Sequence, residues 1–189
     1  MVNSSNFIGL FSFYGRNSKP VYLLLFAFSV LFCVNVSAQE EEIPANIAPP
    51  PVKVISKEEK SALAGSSDVK DRTKLAIDLM EARLKKAETL NTSESYNDLL
   101  NELGSFTALM DDTLKFLNRN DDGRGKVMTT FKRFEMALRT FTPRLELIRR
   151  ELPENFEYHV RKLLRNVRDA RSKAVEPFFS STVVNDKGN

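Results

Sequence analysis

The sequence predicts an all-α protein, an antiparallel up-down four-helix bundle with coiled-coil-like packing, preceded by a signal peptide and a disordered, proline-rich linker. Three observations support this prediction. Apolar residues recur at intervals of three and four after Ser67, only 7 of the 189 residues are glycine, and an apolar block preceded by basic residues lies near the amino terminus. A chain of this length forms one modest domain.

Residues 1–38 have the pattern of a secretory signal peptide. Arg16 and Lys19 are its only charged residues, an apolar block covers residues 21–36, and the small residues around Ala38 fit cleavage after that position. We therefore expect a secreted or periplasmic protein. The alternative is a membrane tether formed by an uncleaved signal anchor over 21–36, because the block is only slightly shorter than the roughly 17–25 residues that span a bilayer.

Removal of the signal peptide changes the chemistry of the chain. The only cysteine, Cys33, leaves with it, so the mature chain contains neither a disulfide nor a thiolate metal site. The net charge falls from +3 to +1, because 28 − 2 = 26 basic residues then face 25 acidic residues. A nearly neutral exported chain has no electrostatic reason to seek nucleic acid, so we exclude DNA and RNA as its main partner.

Residues 39–67 are predicted to form a flexible linker rich in proline and glutamate. The run of acidic residues at 40–42 and the prolines at 44 and 49–51 leave too little apolar surface to offset the entropy of ordering. Ser56 and Glu59 match a capping box, which predicts one or two helical turns within this linker.

The predicted bundle covers residues 68–178. Its first helix extends over about residues 69–90 and its second over about residues 93–118, and both carry apolar residues at helical spacing. Asn91, followed three residues later by Glu94, matches a capping box and predicts the start of the second helix.

The third predicted helix carries the strongest pattern. It begins near Lys126, after a polar turn, and its apolar seam steps by four and three without interruption. The seam consists of Val127, Phe131, Phe134, Leu138, Phe141, Leu145, Ile148 and Leu152. Because the seam keeps its phase through Pro143, we predict a kink there and not a break. The acidic second helix and this basic third helix are predicted to form ion pairs with each other.

The fourth predicted helix begins after Pro153 and ends at about Val175, because Pro177 stops it, and residues 179–189 form a disordered tail. If Pro153 only kinks the chain, residues 126–175 instead form one bent helix whose heptads pair between two chains. Both a monomer and a homodimer therefore stay open.

The last predicted helix carries a one-sided basic face, which is our candidate anion-binding site. Its members are Arg161, Lys162, Arg165, Arg168, Arg171 and Lys173. Three of the arginines follow the spacing i, i+4, i+7, which places them on one side of a helix. An acidic lipid headgroup, an envelope polymer or an acidic partner helix would suit such a face. The same pattern also fits a solvated helix surface with internal ion pairs.

No catalytic residue, metal site or cofactor is predicted. Residues 118–123 resemble the first half of an EF-hand loop, but Thr129 stands where the bidentate glutamate should be. His159 is the only histidine, and a haem held by this residue and a methionine is a weak alternative, since methionine is a common core residue.

These observations predict a non-enzymatic, secreted or periplasmic protein that acts as a structural or adaptor module of the cell envelope and binds a protein partner. The alternative is a binding protein for an anionic ligand or a membrane surface, which would use the basic face of the last helix. Enzymatic and haem-binding readings rank behind both.

Overall fold

The computed structural model describes residues 46–121 and 127–183, which form an all-α domain of four long antiparallel helices with a short first helix. The helices are α1 (Lys57–Gly65), α2 (Val69–Thr92), α3 (Tyr96–Asn120), α4 (Met128–Glu151) and α5 (Glu154–Val183). The predicted all-α helical bundle is confirmed. Several predicted segments lie outside the described residues: the signal peptide with Cys33, residues 39–45 of the linker, residues 122–126 of the polar turn and residues 184–189 of the tail. Residues 179–183, which we predicted as part of the disordered tail, are helical.

The first two helices begin at side-chain caps. The Oγ of Ser56 accepts a hydrogen bond from the N–H of Glu59 at 3.2 Å, and the N–H of Ser56 donates to the Glu59 carboxylate at 2.9 Å. The predicted capping box is therefore confirmed. Asp68 caps α2 by accepting from the N–H groups of Lys70 and Asp71 at 2.9 and 3.0 Å. Each such cap contributes about 1 kcal/mol to helix stability.

The predicted cap formed by Asn91 and Glu94 is wrong. Asn91 lies in the last turn of α2, and α3 begins three residues later than predicted, after Ser95. Glu94 adopts the left-handed conformation with φ 58°, and the N–H groups of Glu94 and Ser95 donate to the carbonyls of Asn91 and Leu90. This is the paired hydrogen bonding of a Schellman motif, which closes the end of α2 instead of opening α3.

Helix α4 follows the sequence pattern closely. It is continuous through Pro143, and all eight residues of its predicted seam are buried. Leu152 has the extended backbone angles φ −78° and ψ 147°, so α4 ends there and α5 begins after Pro153. The alternative of one bent helix over 126–175 is therefore wrong.

Helix α5 is longer than predicted. It continues through Pro177 to Val183, so the predicted stop near Val175 is wrong. Proline fixes φ near the helical value and removes a single N–H donor, which a helix tolerates where packing supports it. Phe178 supplies that support, because it packs against the hydrophobic core directly after the proline.

The long helices form two stacked hairpins. Helix α2 packs against α3 and α4 against α5, and the hairpins join through the pairs α2–α4 and α3–α5. Because consecutive helices are antiparallel, each of these joining pairs is parallel. Helices α3 and α4 are not among the extensively packed pairs. Two acidic residues of α3, which we predicted to pair with α4, bind α2 instead: Asp112 binds Arg72 at 3.0 Å and Glu102 binds Arg83 at 2.8 Å.

A non-helical segment, residues 46–56, lies across the bundle, and we call it the strap. Ala48 is only 7% exposed, and its N–H donates to the carbonyl of Asn155 at 3.0 Å. A Cβ atom at Gly104 would lie 2.3 Å from the carbonyl oxygen of Val52, so a glycine is needed for the strap to approach α3 this closely. The strap therefore departs from the predicted flexible linker. Small residues permit the contact, and the proline triplet at 49–51 lowers the entropy cost of holding the chain extended.

Candidate binding faces and buried ion-pair clusters

The predicted basic residues of α5 occupy two different environments. Arg171 is half-buried and its Nε donates to Glu135 of α4 at 3.0 Å, while half-buried Arg161 lies 3.8 Å from Glu157. Arg165 is also half-buried, and the exposed members are Lys162, Arg168 and Lys173. At about 100° per residue, Lys162 and Lys173 lie on one line of the helix and Arg168 about 120° away. An anion-binding role for this face stays a prediction.

A cluster of four charged side chains joins α1, α2 and α3. Arg83 lies at its centre, where Nε donates to Glu59 at 3.0 Å and Nη1 donates to Glu102 at 2.8 Å. Lys86 also binds Glu102. Both carboxylates are largely buried, with side chains about 10% exposed, so their charges depend on these partners.

The electrostatics of this cluster favour the ionised carboxylates. Burial alone would raise the pKa of Glu59, but hydrogen bonds from Arg83 and from the backbone of Ser56 hold that pKa below its ordinary value. Burial likewise opposes the lowered pKa of Glu102, and Lys86 and Arg83 outweigh it. The hydrogen bond to Glu59 in turn raises the pKa of Arg83.

A second cluster joins the two hairpins through α2 and α4. Arg144 donates through Nε and Nη2 to the two oxygens of Glu88, at 2.6 and 2.8 Å, and through Nη1 to both oxygens of Glu81, at 2.7 Å. The bidentate bond to Glu88 is the main cause of the raised pKa of Arg144. Such planar, two-point pairing is specific to arginine, because a lysine ammonium is a point charge.

The contact between α4 and α5 is held by two further clusters. Buried Glu135 accepts from Arg139 at 3.2 Å and from Arg171 at 3.0 Å. Near the other end, Arg149 binds Glu146 at 2.8 Å and Glu157 at 2.5 Å. Hydrogen bonds to these carboxylates raise the pKa of Arg149, Glu146 being the larger contributor.

His159 forms a hydrogen bond with the strap. Its Nε2 lies 2.7 Å from the carbonyl oxygen of Ala48, and since a carbonyl only accepts, Nε2 is the protonated nitrogen. Haem ligation through the same nitrogen would have to displace the strap. Met80 and Met110 are fully packed in the core, as expected for methionines that fill the interior.

Across 46–121 and 127–183, no three side chains of His, Cys, Asp or Glu come together in a way that would hold a metal ion. In the same ranges, every helix is too short or too polar to cross a bilayer.

A surface that the sequence reasoning missed is the outer face of α4, which we define by seven residues at steps of four and three. They are Thr129, Arg133, Met136, Thr140, Pro143, Leu147 and Arg150, and all seven are exposed. Met136 and Leu147 are 54% and 57% exposed, which is high for large apolar side chains. This second heptad series, on the side of α4 opposite the core seam, is the sequence signal that would have revealed it.

The chain matches no protein-family model, no curated protein and no solved structure at a significant level.

Proposed function

We propose that this protein is a non-enzymatic structural or adaptor module of the cell envelope that binds a protein partner. The observation that carries the proposal is the placement of the ion-pair clusters, which brace α1, α2 and α3, then α2 with α4, then α4 with α5. Helices braced in this way present their exposed faces as fixed surfaces. A fixed surface loses little conformational entropy on binding, which favours recognition of a partner.

The state of the buried carboxylates supports binding over chemistry. A general acid at neutral pH needs a carboxyl group whose pKa is raised, whereas the pKa values of Glu59 and Glu102 are lowered. Their oxygens are covered by Arg83 and Lys86. These carboxylates act as acceptors that hold helices together.

The location in the envelope is part of the proposal and rests on the pattern of residues 1–38. We expect the protein isolated from its own host to begin at Gln39. Intact-mass measurement checks this, and a mature protein that retains residues 21–36 would favour the membrane-tethered form.

Capture from the host envelope, followed by reconstitution, tests the binding function. We expect a protein that is captured by the chain and that, once purified, binds it saturably and with defined stoichiometry in calorimetry. A Phe134→Asp variant, which places a charge in the core, is the control for folding. Equal capture by this unfolded control, or no saturable binding by any captured protein, would count against the adaptor function.

The second candidate is binding of an anionic ligand or membrane surface through α5, favoured by the exposure of Lys162, Arg168 and Lys173. Cosedimentation with vesicles that contain phosphatidylglycerol tests it. The triple change of these residues to glutamate should abolish vesicle binding, whereas reversal of exposed Lys70 and Lys85 on α2 should not. Unchanged binding by the triple variant would eliminate this candidate.

A further inference from the structure

We infer that the outer face of α4 is the docking site for an acidic amphipathic helix of a protein partner. The inference rests on the proposed function for the existence of a partner, and it adds the partner's chemistry and the place where it binds.

The spacing of the outer face fits a helix. Its seven residues alternate steps of four and three from Thr129 to Arg150, which is the spacing of a coiled-coil seam. Twenty-one steps at 1.5 Å per residue give a seam of about 32 Å, or three heptads. Met136 and Leu147, eleven residues apart along this seam, project large apolar side chains into solvent.

The charge of the face selects an acidic partner. Arg133 and Arg150 lie within the outer face, and exposed Lys132 flanks it. Exposed Arg139 also flanks it, although this arginine already binds Glu135 at 3.2 Å. Two of the three acidic residues of α4 bind arginines, Glu135 to Arg171 and Glu146 to Arg149. Exposed Glu151 accepts from the neutral amide of Asn91 at 2.5 Å and keeps its charge, so basic residues still outnumber acidic ones on this face. A second outer face from another copy of the chain would be repelled, whereas a helix flanked by carboxylates would be attracted.

The apolar content favours a protein helix over a bilayer. Helices that lie in a membrane interface use a broad apolar face with Trp, Phe and Leu. The outer face offers only a narrow stripe, with Met136 and Leu147 as its two large apolar side chains and Thr140 and Pro143 between them. A narrow stripe fits the contact between two helices, in which a ridge of side chains on one helix packs into a groove on the other.

A synthetic peptide provides the probe. It consists of about three heptads with Leu at the a and d positions and Glu at the e and g positions, whose like charges discourage it from pairing with itself. A second peptide carries Lys in place of Glu. We expect the full chain to bind the Glu peptide in fluorescence anisotropy and to bind the Lys peptide at least roughly tenfold more weakly.

Two variants locate the binding. Met136→Ser with Leu147→Ser removes the apolar contacts, and Arg133→Glu with Arg150→Glu reverses the charge; all four positions are exposed, so the fold is preserved. Each double variant should weaken binding of the Glu peptide at least roughly tenfold. The matched control combines Val54→Ser with Lys85→Glu, which are exposed positions of the same types outside the outer face, and it should leave binding unchanged.

Several outcomes would overturn the inference. These are equal binding of the two peptides, equal binding by the variants and the parent chain, and a sedimentation change that shows self-association through this face. Loss of binding to anionic vesicles in the same variants, with peptide binding intact, would assign the face to a membrane.

Failure of the docking site can be distinguished from failure of the proposed function. If an envelope partner still binds the variants saturably, the docking site is wrong while the adaptor function stands. If no partner binds the parent chain at all, the function itself fails.

Discussion

Replacement of Gly104 by alanine tests the contact between the strap and α3. The added methyl group would lie 2.3 Å from the carbonyl oxygen of Val52 and 2.8 Å from its carbonyl carbon. Since a carbon–oxygen contact needs about 3.3 Å, the strap must retreat by about 1 Å. That movement strains the bonds that Ala48 makes with Asn155 and His159.

The expected magnitude follows from opposing effects. Overpacking costs about 1–3 kcal/mol and a weakened hydrogen bond about 1 kcal/mol, while alanine in a helix returns about 1 kcal/mol relative to glycine. We expect Gly104→Ala to lower the free energy of unfolding by about 1–3 kcal/mol in urea titration. Amide exchange measured by NMR should show lost protection at Ala48.

Gly65 supplies the matched control, because the Cβ that alanine would add there has no heavy atom within 4 Å outside its chain neighbours and the backbone of its own helix. Gly65→Ala should leave protection at Ala48 unchanged and the free energy of unfolding equal or slightly higher. If Gly104→Ala instead raised the stability by the full helix-propensity gain with Ala48 still protected, the described contact between strap and α3 would be refuted.

Other substitutions test the clusters and the core. Arg83→Met leaves the buried carboxylates of Glu59 and Glu102 undercompensated and should cost about 3 kcal/mol of unfolding free energy in urea titration. Because the pKa values of these two carboxyls are lowered in the folded state, the stability they contribute is complete above the ordinary carboxyl range and is lost as pH falls through the lowered values. Urea titrations between about pH 5 and 3 should therefore show a steep loss in the parent chain and a shallower one in Arg83→Met; equal slopes would contradict the pairing. Leu138→Ala, at a fully buried site, should cost about 2–5 kcal/mol, whereas Leu147→Ala, at a site 57% exposed, should change the thermal midpoint little.

The helical core was predictable because a period of 3.6 residues is a local property of the chain. The seam of α4 illustrates this, since every residue assigned to it from Val127 to Leu152 is buried. The motif at Asn91 could not distinguish the start of a helix from the end of one. The same residue types also occur in a turn that closes a helix, and here Glu94 takes the positive φ of such a turn. The predicted stop at Pro177 was wrong for a related reason: a proline weakens a helix locally, but the following residue, Phe178, still packs against the core and the helix continues.

The candidate sites were harder to predict from the sequence, because periodicity shows that a helix has an apolar face but not which other helix covers that face. The carboxylates of α3 could pair with any basic neighbouring helix. The packing of α3 against α2 determines that Asp112 and Glu102 bind residues of α2. For the same reason the basic residues of α5 could not be sorted in advance into those that bind α4, such as Arg171, and those that face solvent, such as Lys162.

The anchorage of Ala48 on α5 determines how mechanical force would travel through the molecule. The carbonyl of Ala48 meets His159, 111 positions later in the chain, so the start of the strap is fastened to the second hairpin before the chain enters the first. Tension applied to a tether at that end would therefore load the opening turn of α5 ahead of α1. During synthesis, the contact between Ala48 and His159 can form only after the first turns of α5 have emerged, long after the strap itself has been made.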